Sequence, residues 1–233
     1  MSLNPNGKEA EAVLDSTSYY STAYGMEARR SLHGYLMLKR AIDIIAAFVG
    51  LLLLSPVFIV LAVWIKVEDR RGPVFFSQER VGKGERTFRM YKFRSMVSNA
   101  EEMLPQLLAM NEIEGAMFKM KDDPRITRIG KLIRKTSLDE LPQLWNVIRG
   151  DMSLVGPRPP LPREVAEYTP YDKQRLRVTP GCTGLWQVSG RNNLNFKEMV
   201  ELDLAYIQKR GLKNDLIILL KTVKMLLGSK DAY

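Results

Sequence analysis

A chain of 233 residues with 35 Lys and Arg against 26 Asp and Glu carries a formal charge of +9. That balance suits anionic partners, whether nucleic acid, anionic lipid or phosphorylated small molecules. One cysteine, Cys182, excludes an intrachain disulfide, and with a single histidine, His33, it argues against a structural zinc site and for a reducing compartment.

Residues 1–35, rich in Ser, Thr and Tyr and without helical or strand period, read as a disordered polar leader with no signal-peptide pattern. The apolar run AIDIIAAFVGLLLLSPVFIVLAVWI follows, from Ala41 to Ile65. As one straight helix of about 25 residues it reaches roughly 37 Å, enough to span a bilayer. Two features point away from a straight span. Pro56, after Ser55, lacks an N–H and its ring clashes with the carbonyl of Leu52, which bends or breaks the helix. Cations flank both ends (Lys39 and Arg40 before, Lys66, Arg70 and Arg71 after), and the positive-inside tendency assigns both flanks to one side. The residues by themselves leave a spanning helix and a re-entrant one open, with a buried soluble helix as the third reading.

Next, VFFSQERVGKGERTFRMYKF reads as a β-hairpin turning at Gly82-Lys83-Gly84. Met96 to Met110 has helical spacing. Asp123-Pro124 predicts a helix start for RITRIGKLIRK, whose Ile126, Ile129, Leu132 and Ile133 form an apolar stripe. TSLDELPQLWNVIRG predicts a further helix ending at Gly150, before the proline-rich loop GPRPPLP. TPGCTGLWQVSGRNN reads as loop with short strand. The chain closes on two helices, FKEMVELDLAYIQKR and DLIILLKTVKMLL, the second apolar nearly all round apart from Lys221 and Lys224. That helix suits a lipid interface or a core position with its lysines in water. Walker A, G-x-G-x-x-G and HExxH motifs are absent.

The adjacent acids Asp139 and Glu140 carry two readings. Ser137-Leu-Asp-Glu140 matches a capping box, but Pro142 would then sit in the second turn of the helix. A start at Asp139 relieves that conflict and frees the acids for chemistry, at a helix N-terminus that favours anions. Isolated cations lie in apolar or proline-rich surroundings: Lys92 and Arg94 in YKFRSM, Arg134 before the acids, Arg158 between prolines and Arg191 after Ser-Gly. Guanidinium forks and ammonium point charges suit phosphate oxygens, and with two carboxylates they suggest metal-assisted phosphoryl chemistry. Nothing in the chain reads a groove or stacks bases, so nucleic acid is not expected as a partner.

The chain from about Lys39 onward resembles the bacterial sugar transferases, the monotopic phosphoglycosyl transferases. The residues that carry the resemblance are the KR-x-x-D run before a Ser-Pro-broken helix, YKFRSM, RKTSLDELPQLWNVIRGDMSLVGPRP, and GLWQVSGRN followed by ELDLAYI, in that order. The resemblance implies an α+β, mostly helical fold: a re-entrant membrane helix broken at Ser55-Pro56 (36–68), then a cytosolic catalytic domain with a small hairpin and membrane-interface helices (69–233). It implies a two-step reaction at the cytoplasmic face of the bacterial inner membrane. A hexose-1-phosphate, glucose or galactose first, passes from a UDP-sugar to undecaprenyl phosphate in exopolysaccharide or capsule assembly. Asp139 would be the nucleophile and Glu140 its acidic neighbour and the magnesium ligand. Lys92, Arg94, Arg134 and Arg158 would handle phosphates, Arg191 and Gln187 the nucleotide, and Asp203 would be a metal carboxylate, a carboxylate supporting the metal's ligands, or a plain helix-surface acid. A homodimer would fit the family. The competing reading is a non-catalytic membrane-anchored module for anionic lipid or a phosphorylated partner.

Overall fold

The computed structural model of the chain describes residues 32–110, 120, 122–190 and 194–228; residues 1–31 of the expected leader lie outside them. The chain divides into two compact units between Ile42 and Asp43, and the packing that follows belongs to the second.

Helix α1 (Leu32–Leu53) and helix α2 (Ser55–Glu68) meet at a 59° bend. Helix from Leu32 onward takes in residues 32–35, expected in the leader, where Leu32, Leu36 and Met37 extend the apolar helix backwards. Pro56 occupies the first turn of α2, and the Ser55 hydroxyl donates to the Leu52 carbonyl at 2.8 Å, one of the acceptors that a missing N–H leaves open. Among the described residues no single helix is long and apolar enough to cross a membrane, whereas the bent pair together has the length and composition. Ile45, Phe48, Leu52, Leu53, Ile59 and Val63 are exposed along it.

Three carboxylates fasten this pair to the rest of the unit. Asp43, buried in α1, accepts from the Ser153 hydroxyl at 2.7 Å and the Leu154 N–H at 3.2 Å. Glu68, at the end of α2, accepts from the Arg128 and Ile129 N–H groups at 2.7 and 2.9 Å, satisfying donors that a helix start leaves open. Asp69 accepts from Arg94 and Ser98. Apolar contacts run alongside: Leu61 and Ile65 pack with Phe93, Ile129 and Ile133, and Ala47 with Met90, Val147 and Met152.

The hairpin forms as the sequence predicts. Strands β1 (Phe75–Val81) and β2 (Thr87–Phe93) pair antiparallel, with Phe76 opposite Lys92 and Arg80 opposite Phe88. Gly84 takes φ +66 in the turn. Helix α3 covers Ala100–Leu107, shorter than the spacing of Met96 to Met110 suggests.

Two helix starts differ from expectation. Asp123 does not cap a helix: Arg125 claims its carboxylate in a buried two-pronged pair, at 2.6 Å from Nη2 and 2.9 Å from Nε. Helix α4 (Arg128–Lys135) begins later, capped by Thr127, whose hydroxyl accepts from Gly130 N–H. The predicted helix through Asp139 is instead a 3-10 turn, Leu138–Glu140, followed by α5 (Gln143–Arg149) with Pro142 at its N-cap. Ser137 sits at φ +56 and makes no side-chain cap, so the capping box does not form.

The short strand expected within TPGCTGLWQVSGRNN forms as β4 (Gly181–Thr183), and its parallel partner β3 (Ser153–Val155) falls where the sequence shows no strand pattern. Helix α6 (Pro162–Ala166) follows the proline loop. The last two helices, α7 (Phe196–Lys209) and α8 (Leu212–Gly228), are joined to β3 by Tyr206, whose hydroxyl bonds Val155 O at 3.1 Å and Asp215 Oδ1 at 2.9 Å. Helix α8 buries Asp215 and Ile218 on one side, while Leu216, Ile217, Leu220, Val223, Lys221 and Lys224 are exposed.

Candidate active site

The acid pair is placed by its neighbours on both sides. Leu138 and Leu141 pack against the Phe93–Ile129–Ile133 cluster, which turns Asp139 inward until it is 6 % exposed. Asn146 of α5 then locks this segment to β2: its Oδ1 accepts from Tyr91 N–H at 3.0 Å and its Nδ2 donates to Arg89 O at 2.7 Å. Strand alternation presents Lys92 towards the acids. Its Nζ lies 2.7 Å from Glu140 Oε1 and 4.0 Å from Asp139 Oδ2.

Burial and charge act together on Asp139. Removal from water pushes the Asp139 carboxyl up to about 6; Lys92 and Arg134 pull it down, and the neighbouring Glu140 charge adds to the rise. Near neutral pH the group is therefore mostly ionised, poorly hydrated and held beside two cations. That is the condition of a carboxylate nucleophile, whose attack needs little desolvation.

A pocket opens beside the pair, lined by Arg80, Met90 and Lys92 of the hairpin, Glu140 and Gln143, Arg158 and Pro159 of the proline loop, Gly181 and Cys182 of β4, and Gln187. Of the residues singled out in the sequence, Lys92, Glu140, Arg158 and Gln187 line it, and Arg134 acts on Asp139 beside it. Arg94 and Asp203 are not among its lining residues. Arg94 donates to Asp69 Oδ2 at 2.9 Å and Asp69 O at 2.7 Å, pinning the end of α2. Asp203, 1 % exposed, is paired with Arg175. Arg191 lies outside the described residues.

Arg80 and Gln143 were not singled out from the sequence. Only the parity of the hairpin, which sets Arg80 on the Lys92 face once the register is known, signals the first. The buried Gln187 Oε1 has no hydrogen-bond partner, so the pocket holds an acceptor awaiting an N–H or O–H. Among the described residues no three His, Cys, Asp or Glu side chains are gathered to hold a metal. Glu140, 34 % exposed and lining the pocket, fits the single carboxylate that Mg²⁺ needs when substrate phosphates and waters supply the rest.

A family model described as "Bacterial sugar transferase" matches residues 34–229. The chain belongs to that family. Among curated relatives, the galactosyl transferase CpsE of Streptococcus agalactiae is 50 % identical over 90 % of this chain and 46 % of its own length. The undecaprenyl-phosphate galactose phosphotransferase of Salmonella typhimurium is 48 % identical over 84 % of this chain and 42 % of its own. The exopolysaccharide production protein ExoY of Rhizobium meliloti is 42 % identical, over 84 % of this chain and 88 % of its own. This bacterial sugar transferase chain thus spans less than half of the first two relatives and most of the third.

Proposed function

We propose that the chain is a phosphoglycosyl transferase that moves a hexose-1-phosphate from a UDP-sugar to undecaprenyl phosphate, with galactose the first sugar to test. The observation that carries this reading is Asp139: a buried, ionisable carboxylate between Lys92 and Arg134, at the edge of a cationic pocket. The names of the relatives support the acceptor and the sugar class.

In the first step an Asp139 oxygen attacks the sugar-side phosphorus of the donor. The bond from that phosphorus to the bridging oxygen breaks, and UMP leaves with the electron pair. In the second step an oxygen of the lipid phosphate attacks the same phosphorus, the Asp139–phosphorus ester breaks and the carboxylate is restored. Lys92 and Arg134, whose charges already reach Asp139, offset charge that grows on the reacting oxygens. Glu140 would hold Mg²⁺, which would supply further charge neutralisation when bound.

The lipid acceptor fixes where the site must work, because its phosphate stays at headgroup level. The α1–α2 bend at Ser55-Pro56, entering and leaving the cytoplasmic leaflet of the inner membrane, and the exposed apolar residues of α8 suit that position. The test is UMP release from a panel of UDP-sugars with Mg²⁺ and undecaprenyl phosphate. Mass spectrometry of protein mixed with donor alone is expected to find a sugar phosphate on the peptide bearing Asp139. An active preparation that never shows this adduct defeats the two-step route, and no UMP release from any donor defeats the transferase reading.

A further inference from the structure

One buried cation lining the pocket takes no part in the two displacements. Arg80, on β1, is 6 % exposed. Its Nη1 donates to Pro159 O at 3.1 Å and its Nη2 to Gln78 Oε1 at 2.7 Å, while its buried Nε has no hydrogen-bond partner. Among the described residues it forms no ion pair, although it lines the pocket with Arg158. A guanidinium withdrawn from water without an anion is costly to hold, and a second guanidinium nearby adds to the cost. Burial and the Arg158 charge together depress Arg80 to about 10, against the pull of Glu164 and Glu140. Glu164 is itself engaged by the Leu161 N–H at 2.8 Å. An anion arriving in the pocket would relieve all of this at once.

The cations fall into two groups that share Glu140 as an acidic neighbour. Lys92 and Arg134 act on Asp139, whereas Arg80 feels Arg158 and is not among the principal influences on Asp139. A diphosphate likewise has two centres, one attacked and one departing. Resting on the phosphoglycosyl transfer proposed above, we infer that Arg80, together with Arg158, binds the nucleotide-side phosphate of the donor, the one that leaves with UMP. The sugar-side phosphorus is thereby left to Lys92, Arg134 and Asp139. Arg80 serves donor binding and UMP departure.

Equilibrium binding of UMP, with uridine as the phosphate-free comparison, reads this directly on the full chain. Arg80→Gln is expected to weaken UMP by about 10- to 100-fold, the range for one charge-assisted hydrogen bond, and uridine by less than about twofold. The KM for the UDP-sugar should rise in parallel. A role confined to holding Pro159 would weaken uridine and UMP alike and overturns the inference, as does unchanged UMP affinity. Arg80→Lys guards against a folding failure: it keeps the charge but loses the fork, so a selective loss of UMP affinity of about 3- to 10-fold is expected and none overturns the inference. Unmutated protein that neither binds nor releases UMP would instead remove the transferase reading itself.

Discussion

Replacing Asp139 by Asn should abolish chemistry and at the same time make the protein more stable. The carboxyl rises from 3.8 to about 6 on folding because burial outweighs the attraction of Lys92 and Arg134. Between those two values the native protein holds a proton that the unfolded chain has released, so stability falls as pH rises through that window. Above it the loss is constant, about 3 kcal/mol at about 1.36 kcal/mol per unit. Asp139→Asn keeps the shape and removes the charge. For a chain of this size about 2–4 °C of Tm accompany each kcal/mol, so the variant should melt roughly 6–12 °C higher at pH 7.5. The gap should close towards pH 4. Thermal denaturation in mild detergent across that range measures it, alongside UMP release and the adduct mass, with mass spectrometry confirming that the Asn has not deamidated. Equal melting temperatures at every pH, or a gap that widens in acid, would refute the account of Asp139 as a destabilised buried charge.

Three further outcomes are expected. Lys92→Met removes the strongest influence holding the Asp139 carboxyl down, so the acid limb of single-turnover UMP release should move to higher pH, whereas Glu140→Gln should move it lower; a shared direction would contradict the electrostatics. Arg175→Met strands the Asp203 carboxylate in the interior and should cost about 3–5 kcal/mol in denaturant unfolding, much of which Asp203→Leu in the same chain restores. Ser55→Ala with Pro56→Ala removes the bend and the Leu52 hydrogen bond. A cysteine introduced as Leu36→Cys, with Cys182→Ala, should be shielded from a membrane-impermeant periplasmic thiol reagent in the bent protein and reachable once the helix straightens; periplasmic labelling before straightening contradicts the re-entrant placement.

What the sequence disclosed follows the range of the forces involved. The break at Pro56 was legible because a missing N–H and a ring clash act within one turn, and the hairpin because its glycines and strand period are local. Lys92 and the acids were legible as chemistry-bearing residues, but their 2.7 Å contact depends on Asn146 clamping α5 to β2. Arg94 looked equivalent to Lys92 two residues away, and only the fold reveals that Asp69 takes it. Its partner lies 25 positions earlier, in a turn with no pattern of its own. Arg80 was overlooked for the opposite reason: a lone arginine in a strand reads as solvated until Pro159 and Arg158 cover it. The three-residue strand β3 is too short to show a period, whereas its partner β4 lies in the stretch read as loop with short strand.

A Cβ on Gly181 would stand 2.0 Å from the Gly156 nitrogen, and one on Gly184 2.4 Å from the Gly156 oxygen, so main chain meets main chain beneath the pocket. A surface made of bare peptide offers nothing to exchange. Any retuning of this pocket must be written into the bordering side chains, Gln143 and Gln187 among them, while the ground under them stays fixed.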